Sequence, residues 1–307
     1  MTYIALDIGG TNVRFSYTDK LNMKDLKYCK KPFVKIGNPH LEVEENICYV
    51  INNISDSVKG IGISLAAVMD RSLGKVKTWN NNPCWNHYDL INHLRGKYNV
   101  PIIVEDDANC GAIGEYSLLS NQVQNMAYIT IGTGIGCGLI LNGTIFLGEN
   151  GFAGELGHIH LVNKNGQNLY NCDNEECFQN IASCSAVLKE YNLLAKSNIE
   201  TIEQIYALYE RGNNYLAERC ISNMINNISM SIYNLAMCMD ISIFVIGGGV
   251  SNVKKEFILQ IENNVNKKLN FYEREIFVRQ AQMGEYSGVY GALQLLKISM
   301  SRGRKKY

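Results

Sequence analysis

The stretch Tyr3-Ile4-Ala5-Leu6-Asp7-Ile8-Gly9-Gly10-Thr11-Asn12-Val13-Arg14 runs from an alternating apolar segment straight into a glycine pair. The alternation predicts a strand over residues 3–8, and Val13-Arg14-Phe15 begins a return strand. Gly9 and Gly10 let the backbone of the turn approach a bound group with no Cβ in the way. A hairpin turn with exposed N–H groups can cradle an anion. Thr11 and Asn12 add side-chain donors, and Asp7 beside them suits a hydrated Mg²⁺. No Gly-Lys-Ser/Thr follows and the glycines do not open a helix, so neither the Walker pattern nor the dinucleotide fingerprint fits. For this turn alone, a plain Gly-Gly hairpin is the alternative.

Two more glycine turns follow strands of the same kind. Residues 126–131 form an apolar run that feeds Gly132-Thr133-Gly134-Ile135-Gly136-Cys137-Gly138, and residues 243–246 end in Gly247-Gly248-Gly249. Two hairpin turns, one opening each half of the chain, could clamp a polyphosphate through Gly9, Gly10, Thr11 and Asn12 and through Gly132, Thr133 and Gly134. The third turn, with Gly248 and Gly249, could let an adenosine lie against the backbone.

With these turns in place the chain resembles a bacterial sugar kinase of the ROK (repressor, open reading frame, kinase) family, within the actin–hexokinase–Hsp70 ATPase superfamily. The resemblance rests on LDIGGTNVRF (6–15), VEDDANCGAIGE (104–115), IGTGIGCGLILNG (131–143), FAGELGHIHL (152–161) and VIGGGV (245–250), with AQMGEYSGVYGALQL (281–295) as a closing segment. It spans nearly the whole chain, and AGELGH is its most specific element. The implied fold is α/β, a two-lobed actin-like ATPase of duplicated ribonuclease H-like domains with the active site in the interlobe cleft.

Composition agrees with this reading. A chain of 307 residues is comfortable for two domains, and 46% hydrophobic residues describe an ordinary globular protein. Lys+Arg and Asp+Glu balance at 29 each, which removes the electrostatic case for nucleic acid or an acidic membrane. The apolar run at the start is short, lacks a basic leader and becomes the first strand at once, and no stretch approaches a membrane span. Ten mostly scattered cysteines fit a reducing compartment, so a cytoplasmic location is expected. The basic tail 301–307 reads as a solvated terminus.

Periodicity predicts a meander over residues 3–8, 13–18 and 26–36, then a helix over 41–57, a strand at 60–65 and a turn-rich stretch over 66–83. A helix at 90–98, a strand at 102–105 and a helix at 109–119 follow. The second half repeats the scheme: strands at 126–131 and 138–142, loops to about 182 and helix to about 239. Strand 243–246, helix 254–269, strand 276–279 and helix 288–297 complete it. The expected domains are residues 1–118, completed by a helix over 288–300, and residues 119–287.

The chemistry centres on Glu105-Asp106-Asp107-Ala108-Asn109, at the carboxyl end of a strand, where α/β sheets bind ligands. The resemblance makes Asp107 the general base that takes the sugar hydroxyl's proton. It makes Asp106, where the family usually has Asn, a sugar contact; a helix-terminal acidic pair is the alternative. Glu155 and His158 of AGELGH become sugar ligands by the same resemblance, as do Asn82 in the loop before Trp85, with a surface turn as its alternative, and Gln179 at a position where the family has Glu. The family also binds a structural zinc through its GH histidine and three cysteines. Here His158, Cys172 and Cys177 remain, while Tyr170 stands in the first cysteine's place, and Cys184 could substitute only by folding back. A tetrahedral site wants four N/S ligands, so the loop is expected to hold by packing rather than by zinc.

The resemblance implies an ATP- and Mg²⁺-dependent hexose 6-kinase, with glucose as default substrate, N-acetylmannosamine or allose as alternatives, and a homodimer as assembly. A non-catalytic, sugar-binding regulatory protein is the alternative of another class. The family's repressors carry a DNA-binding domain ahead of the kinase-like body, whereas here the phosphate strand begins at Tyr3.

Overall fold

The computed structural model describes residues 2–20, 26–55, 57–119, 122–161 and 177–301. The chain divides into two compact units. One comprises Met1–Leu119, Leu147–Phe152 and Tyr286–Tyr307, and the other Ser120–Phe146 and Ala153–Glu285.

In the first unit the strands are β1 (Thr2–Ile8), β2 (Asn12–Thr18), β3 (Lys27–Pro32), β4 (Val58–Leu65), β5 (Val68–Asp70), β6 (Lys75–Thr78) and β7 (Ile102–Asp106). Five of them form a sheet in the order β3-β2-β1-β4-β7. The β1, β2 and β3 pairings are antiparallel, and β4 and β7 add in parallel. Alternation decides what each β1 side chain meets. Ile4, Leu6 and Ile8 join Ile47, Ile51, Ile61 and Ile63 in one cluster, while Ala5 belongs to another with Cys110, Val289, Ala292 and Leu296. The sheet is therefore covered on both faces.

The second of these clusters depends on small residues. A Cβ added at Gly62 would lie 2.4 Å from the Ala292 carbonyl oxygen, and one at Gly291 would lie 1.7 Å from that of Cys110. The C-terminal helix Ser287–Ser301 thus packs in near-backbone contact with β4 and with the helix Asp107–Tyr116.

The second unit repeats the plan with β8 (Met126–Ile131), β9 (Ile135–Leu141), β10 (Thr144–Phe146), β11 (Ile243–Gly247) and β12 (Phe277–Gln280), ordered β10-β9-β8-β11-β12. Here too the first three pair antiparallel and the last two add in parallel. Helix Tyr215–Met239 buries Ala217, Cys220, Ile221, Met224, Ile225, Ile228 and Ile232, the three- and four-residue spacing of a single helical face.

The strand expected at 138–142 is β9, Ile135–Leu141, the stretch expected as helix to about 239 is three helices (Cys184–Ala195, Ile202–Glu210 and Tyr215–Met239), and three further differences have a local cause. The helix expected over 41–57 begins two residues earlier, because Asn38 caps it ahead of Pro39, and it is interrupted by a π-turn at Glu44–Cys48. The Asn46 side chain donates to the Glu42 carbonyl (3.0 Å) and so takes an acceptor that a helical ladder would use. The stretch expected to be turn-rich contains the hairpin β5–β6. The helix expected from residue 109 starts at Asp107, because the Asp106 side chain is its N-cap. No helix among the described residues is long and apolar enough to cross a membrane.

Candidate active site

In the first unit, the β1–β2 hairpin closes at the pair Ile8–Val13, with the Gly9 N–H donating to the Asn12 carbonyl (3.0 Å). A Cβ at Gly9 or Gly10 would find its nearest neighbour at 3.4 Å, so packing alone does not demand glycine at either place. The turn keeps room beside its backbone, as a phosphate cradle requires. Asp7 stands at the end of β1. Its Oδ1 accepts from the Ser64 hydroxyl (2.6 Å), and its Oδ2 lies 3.6 Å from Arg14 Nη1. A carboxylate fixed in this way beside the turn fits a hydrated Mg²⁺.

The acidic corner at the end of β7 divides its labour among three carboxylates. Glu105 is buried and accepts from Arg71 Nε (3.0 Å), from Arg71 Nη2, from the Asp106 N–H (2.9 Å) and from Asn109 Nδ2 (3.1 Å). Burial disfavours the Arg71 charge, but the Glu105 carboxylate beside it more than compensates and raises the guanidinium's pKa. Asp106 Oδ1 accepts from the N–H groups of Ala108 (3.0 Å) and Asn109 (3.2 Å). Capping therefore falls to Asp106, and Asp107 is the first residue of the helix. The capping reading of this acidic pair applies to Asp106, one oxygen of which is committed to it.

Asn82 is only 2% exposed, which removes the surface-turn reading. Its Nδ2 donates to Glu42 Oε2 (2.5 Å), as does Trp85 Nε1 (2.6 Å), while the Ile36 and Gly37 N–H groups donate to Glu42 Oε1 (2.6 and 2.7 Å). Burial would raise the Glu42 pKa, but these four donors together hold it below its ordinary value. Trp85 lies fully buried against Trp79, with ring centroids 5.0 Å apart. Sequence reasoning missed Glu42, Ser64 and Arg71, none of which stands in a recognisable motif.

In the second unit, Gly132-Thr133-Gly134 closes β8–β9 at the pair Ile131–Ile135. A Cβ at Gly132 would lie 3.6 Å from the Gly249 nitrogen, so the second and third glycine turns adjoin. Gly247 and Gly248 have structural reasons of their own. A Cβ on Gly247 would strike the Tyr128 hydroxyl at 2.3 Å, and Gly248 has φ +79° with the Ile131 carbonyl 2.7 Å from its Cβ position.

The AGELGH segment lies along β9. Cβ atoms on Gly154 and Gly157 would sit 2.1 and 2.2 Å from the carbonyl oxygens of Cys137 and Ile135, two residues apart on that strand. Glu155 and His158 then fall one 3₁₀ turn apart, with His158 Nε2 4.0 Å from Glu155 Oε2 and both side chains 40% exposed. Gln179 Oε1 lies 3.0 Å from the Cβ position of Gly134 and 3.4 Å from that of Gly157, which puts it beside both the turn and this segment.

His158 Nδ1 is 3.8 Å from Cys177 Sγ, close to the roughly 3.6 Å that separates N and S ligands on a tetrahedral zinc. Cys172 and Tyr170 lie outside the described residues. The Cys184 thiol donates to the Ile131 carbonyl (3.6 Å) within the core, and burial pushes its pKa up to about 12, which suits a packed thiol better than a zinc thiolate.

A family model described as "ROK family" matches residues 3–298. A glucokinase of Halalkalibacterium halodurans is 26% identical, over 99% of this chain and 98% of its own. A putative xylose repressor of a Caldicellulosiruptor species is 24% identical, over 86% of this chain and 70% of its own. Among solved structures, a ROK hexokinase of Thermus thermophilus superimposes with a TM-score of 0.81 at 24% identity, over 99% of this chain and all of its own. The match to the family model covers almost the whole chain, and the protein belongs to the ROK family.

Proposed function

We propose that this protein is an ATP-dependent kinase that phosphorylates a hexose on its 6-hydroxyl, with glucose as the default substrate. The observation that carries the reading is the acidic corner. Asp106 caps the helix and Glu105 is tied to Arg71, and beside them Asp107 stands at the first helical position, before Ala108, where the resembled family places its general base. Asp107 takes the proton of the sugar's primary hydroxyl as that oxygen attacks the γ-phosphoryl in line. Glu155, His158, Asn82 and Gln179 hold the remaining hydroxyls and orient the nucleophile. The Gly9–Asn12 and Gly132–Gly134 turns receive the phosphates, and Gly249 offers backbone to the adenosine. Mg²⁺, when bound through water to Asp7, screens the charge of the transferring phosphoryl group.

Likeness to a repressor supports a second reading, a sugar-binding regulator without turnover. A coupled ADP-release assay over glucose, mannose, allose, N-acetylglucosamine and N-acetylmannosamine, run beside calorimetric sugar titration, separates the two. Steady ADP release with one of these sugars is expected. Sugar binding without ADP release from any of them would establish the regulator and overturn the kinase.

A further inference from the structure

We propose that His40, Glu44 and His93 form a binding site for a divalent transition metal, zinc foremost, on the first unit. The three side chains converge from two helices that are far apart in sequence. His40 lies in helix Pro39–Val43, Glu44 follows four residues later, and His93 comes from helix Leu90–Lys97. One donor atom from each lies within 4.8 Å of the others. His93 Nε2 is 2.8 Å from Glu44 Oε1, and the imidazole rings of His40 and His93 stand edge to face with centroids 4.5 Å apart. Two imidazoles this close repel one another when both are protonated, whereas neutral rings can share a cation.

The surroundings have the form of a supporting shell. The Tyr88 hydroxyl is 2.8 Å from His93 Nδ1, so it can accept an Nδ1 proton while Nε2 presents its lone pair to a metal. Binding then needs a tautomer shift at His93 and a widening of its 2.8 Å contact with Glu44 Oε1. Lys97 holds Glu44 Oε2, so Oε1, the oxygen that faces His93 Nε2, is the one placed for monodentate ligation. Two imidazole nitrogens and a carboxylate oxygen make the His₂Glu set of catalytic zinc sites, in which water supplies the fourth ligand. His40 is exposed and the other two residues are half-buried, so one side is open to that water and to metal entry. Zinc ligands stand about 3.3 Å apart, and rotation of the exposed His40 side chain can close the triangle to that size.

The metal would tie the two helices together around Glu42, which lies between His40 and Glu44 in sequence and holds Asn82 and Trp85.

The test is a titration of the metal-stripped full-length protein with Co²⁺, read by visible absorption. A tetrahedral d–d spectrum without thiolate-to-cobalt charge transfer is expected, and the absence of thiolate bands separates it from any site at Cys177. His40→Gln, at an exposed position that leaves the core intact, should weaken the thiolate-free signal at least about tenfold, and Glu44→Gln likewise. Zn²⁺ should raise the Tm of the parent by clearly more than that of His40→Gln. A parent protein with no thiolate-free cobalt spectrum, or a His40→Gln variant with unchanged affinity, overturns the site.

Discussion

The acidic corner of the first unit and the Glu155–His158 corner of the second are built to opposite standards. Glu105, Asp106 and Asp107 sit where a buried strand becomes a helix, with Arg71 and Asn109 bonded to Glu105 and backbone amides to Asp106. Glu155 and His158 ride on a short 3₁₀ turn, 4.0 Å apart and 40% exposed. The difference follows from the work proposed for each. A proton acceptor must be held to a fraction of an ångström, whereas hydroxyl ligands can settle around a sugar as it binds. The bracing falls on Glu105 and Asp106, the two residues that lead directly into the proposed proton acceptor.

The most damaging blow to this contrast should fall on Asp107. Asp107→Asn should lower turnover by about 10²–10⁴-fold while the melting midpoint stays where it was, as ADP release and thermal denaturation will report. Near-normal activity would take Asp107 out of the mechanism. Next comes Arg71→Met, which strands the buried Glu105 charge and should cost about 3 kcal/mol in urea denaturation. Glu155→Gln in the open corner should change stability by less than about 0.5 kcal/mol and act instead on the sugar KM. Equal stability losses from the two variants would abolish the distinction.

Glu42 supplies a pH-dependent test of the braced unit. Its carboxyl titrates below its ordinary value of 4.5 in the folded state. The stability it contributes is therefore present above the unfolded-state value and is lost as pH falls through the folded one. Glu42→Gln should be about 1–2 kcal/mol less stable at neutral pH and should lose less on acidification than the parent, which denaturant melts between pH 7 and 3 will compare. The smallest effect belongs to Gln179→Glu. A charge-assisted hydrogen bond should lower the KM for glucose several-fold, about 1 kcal/mol, with kcat little changed. A variant indistinguishable from the parent on every sugar would place Gln179 outside the sugar site.

The elements and motifs were legible in the sequence because each is a local property of the chain. Alternation marked β1 and an apolar run marked β8, glycines marked their turns, and EDDAN and AGELGH each occupy one short segment with a fixed spacing. The strand order of the two sheets was not read from the sequence, because it depends on which strands meet after each crossover. The π-turn at Glu44–Cys48 was not foreseen and the helix that starts at Asp107 was expected from 109, because both depend on where a side chain finds a partner, a choice that periodicity does not carry.

The tertiary structure alone decided which residues support the motifs. Ser64 reaches Asp7 across 57 positions, Glu42 reaches Asn82 across 40, and Arg71 reaches Glu105 across 34. Glycines such as Gly62 and Gly291 acquire their meaning only when a helix backbone arrives within a Cβ radius. A chain's own sequence specifies its strands, turns and motif spacings, since these obey rules that operate over a few residues. A buried partner hundreds of atoms away is chosen by which faces the packed sheet and helices press together, and that choice exists only once the chain has folded.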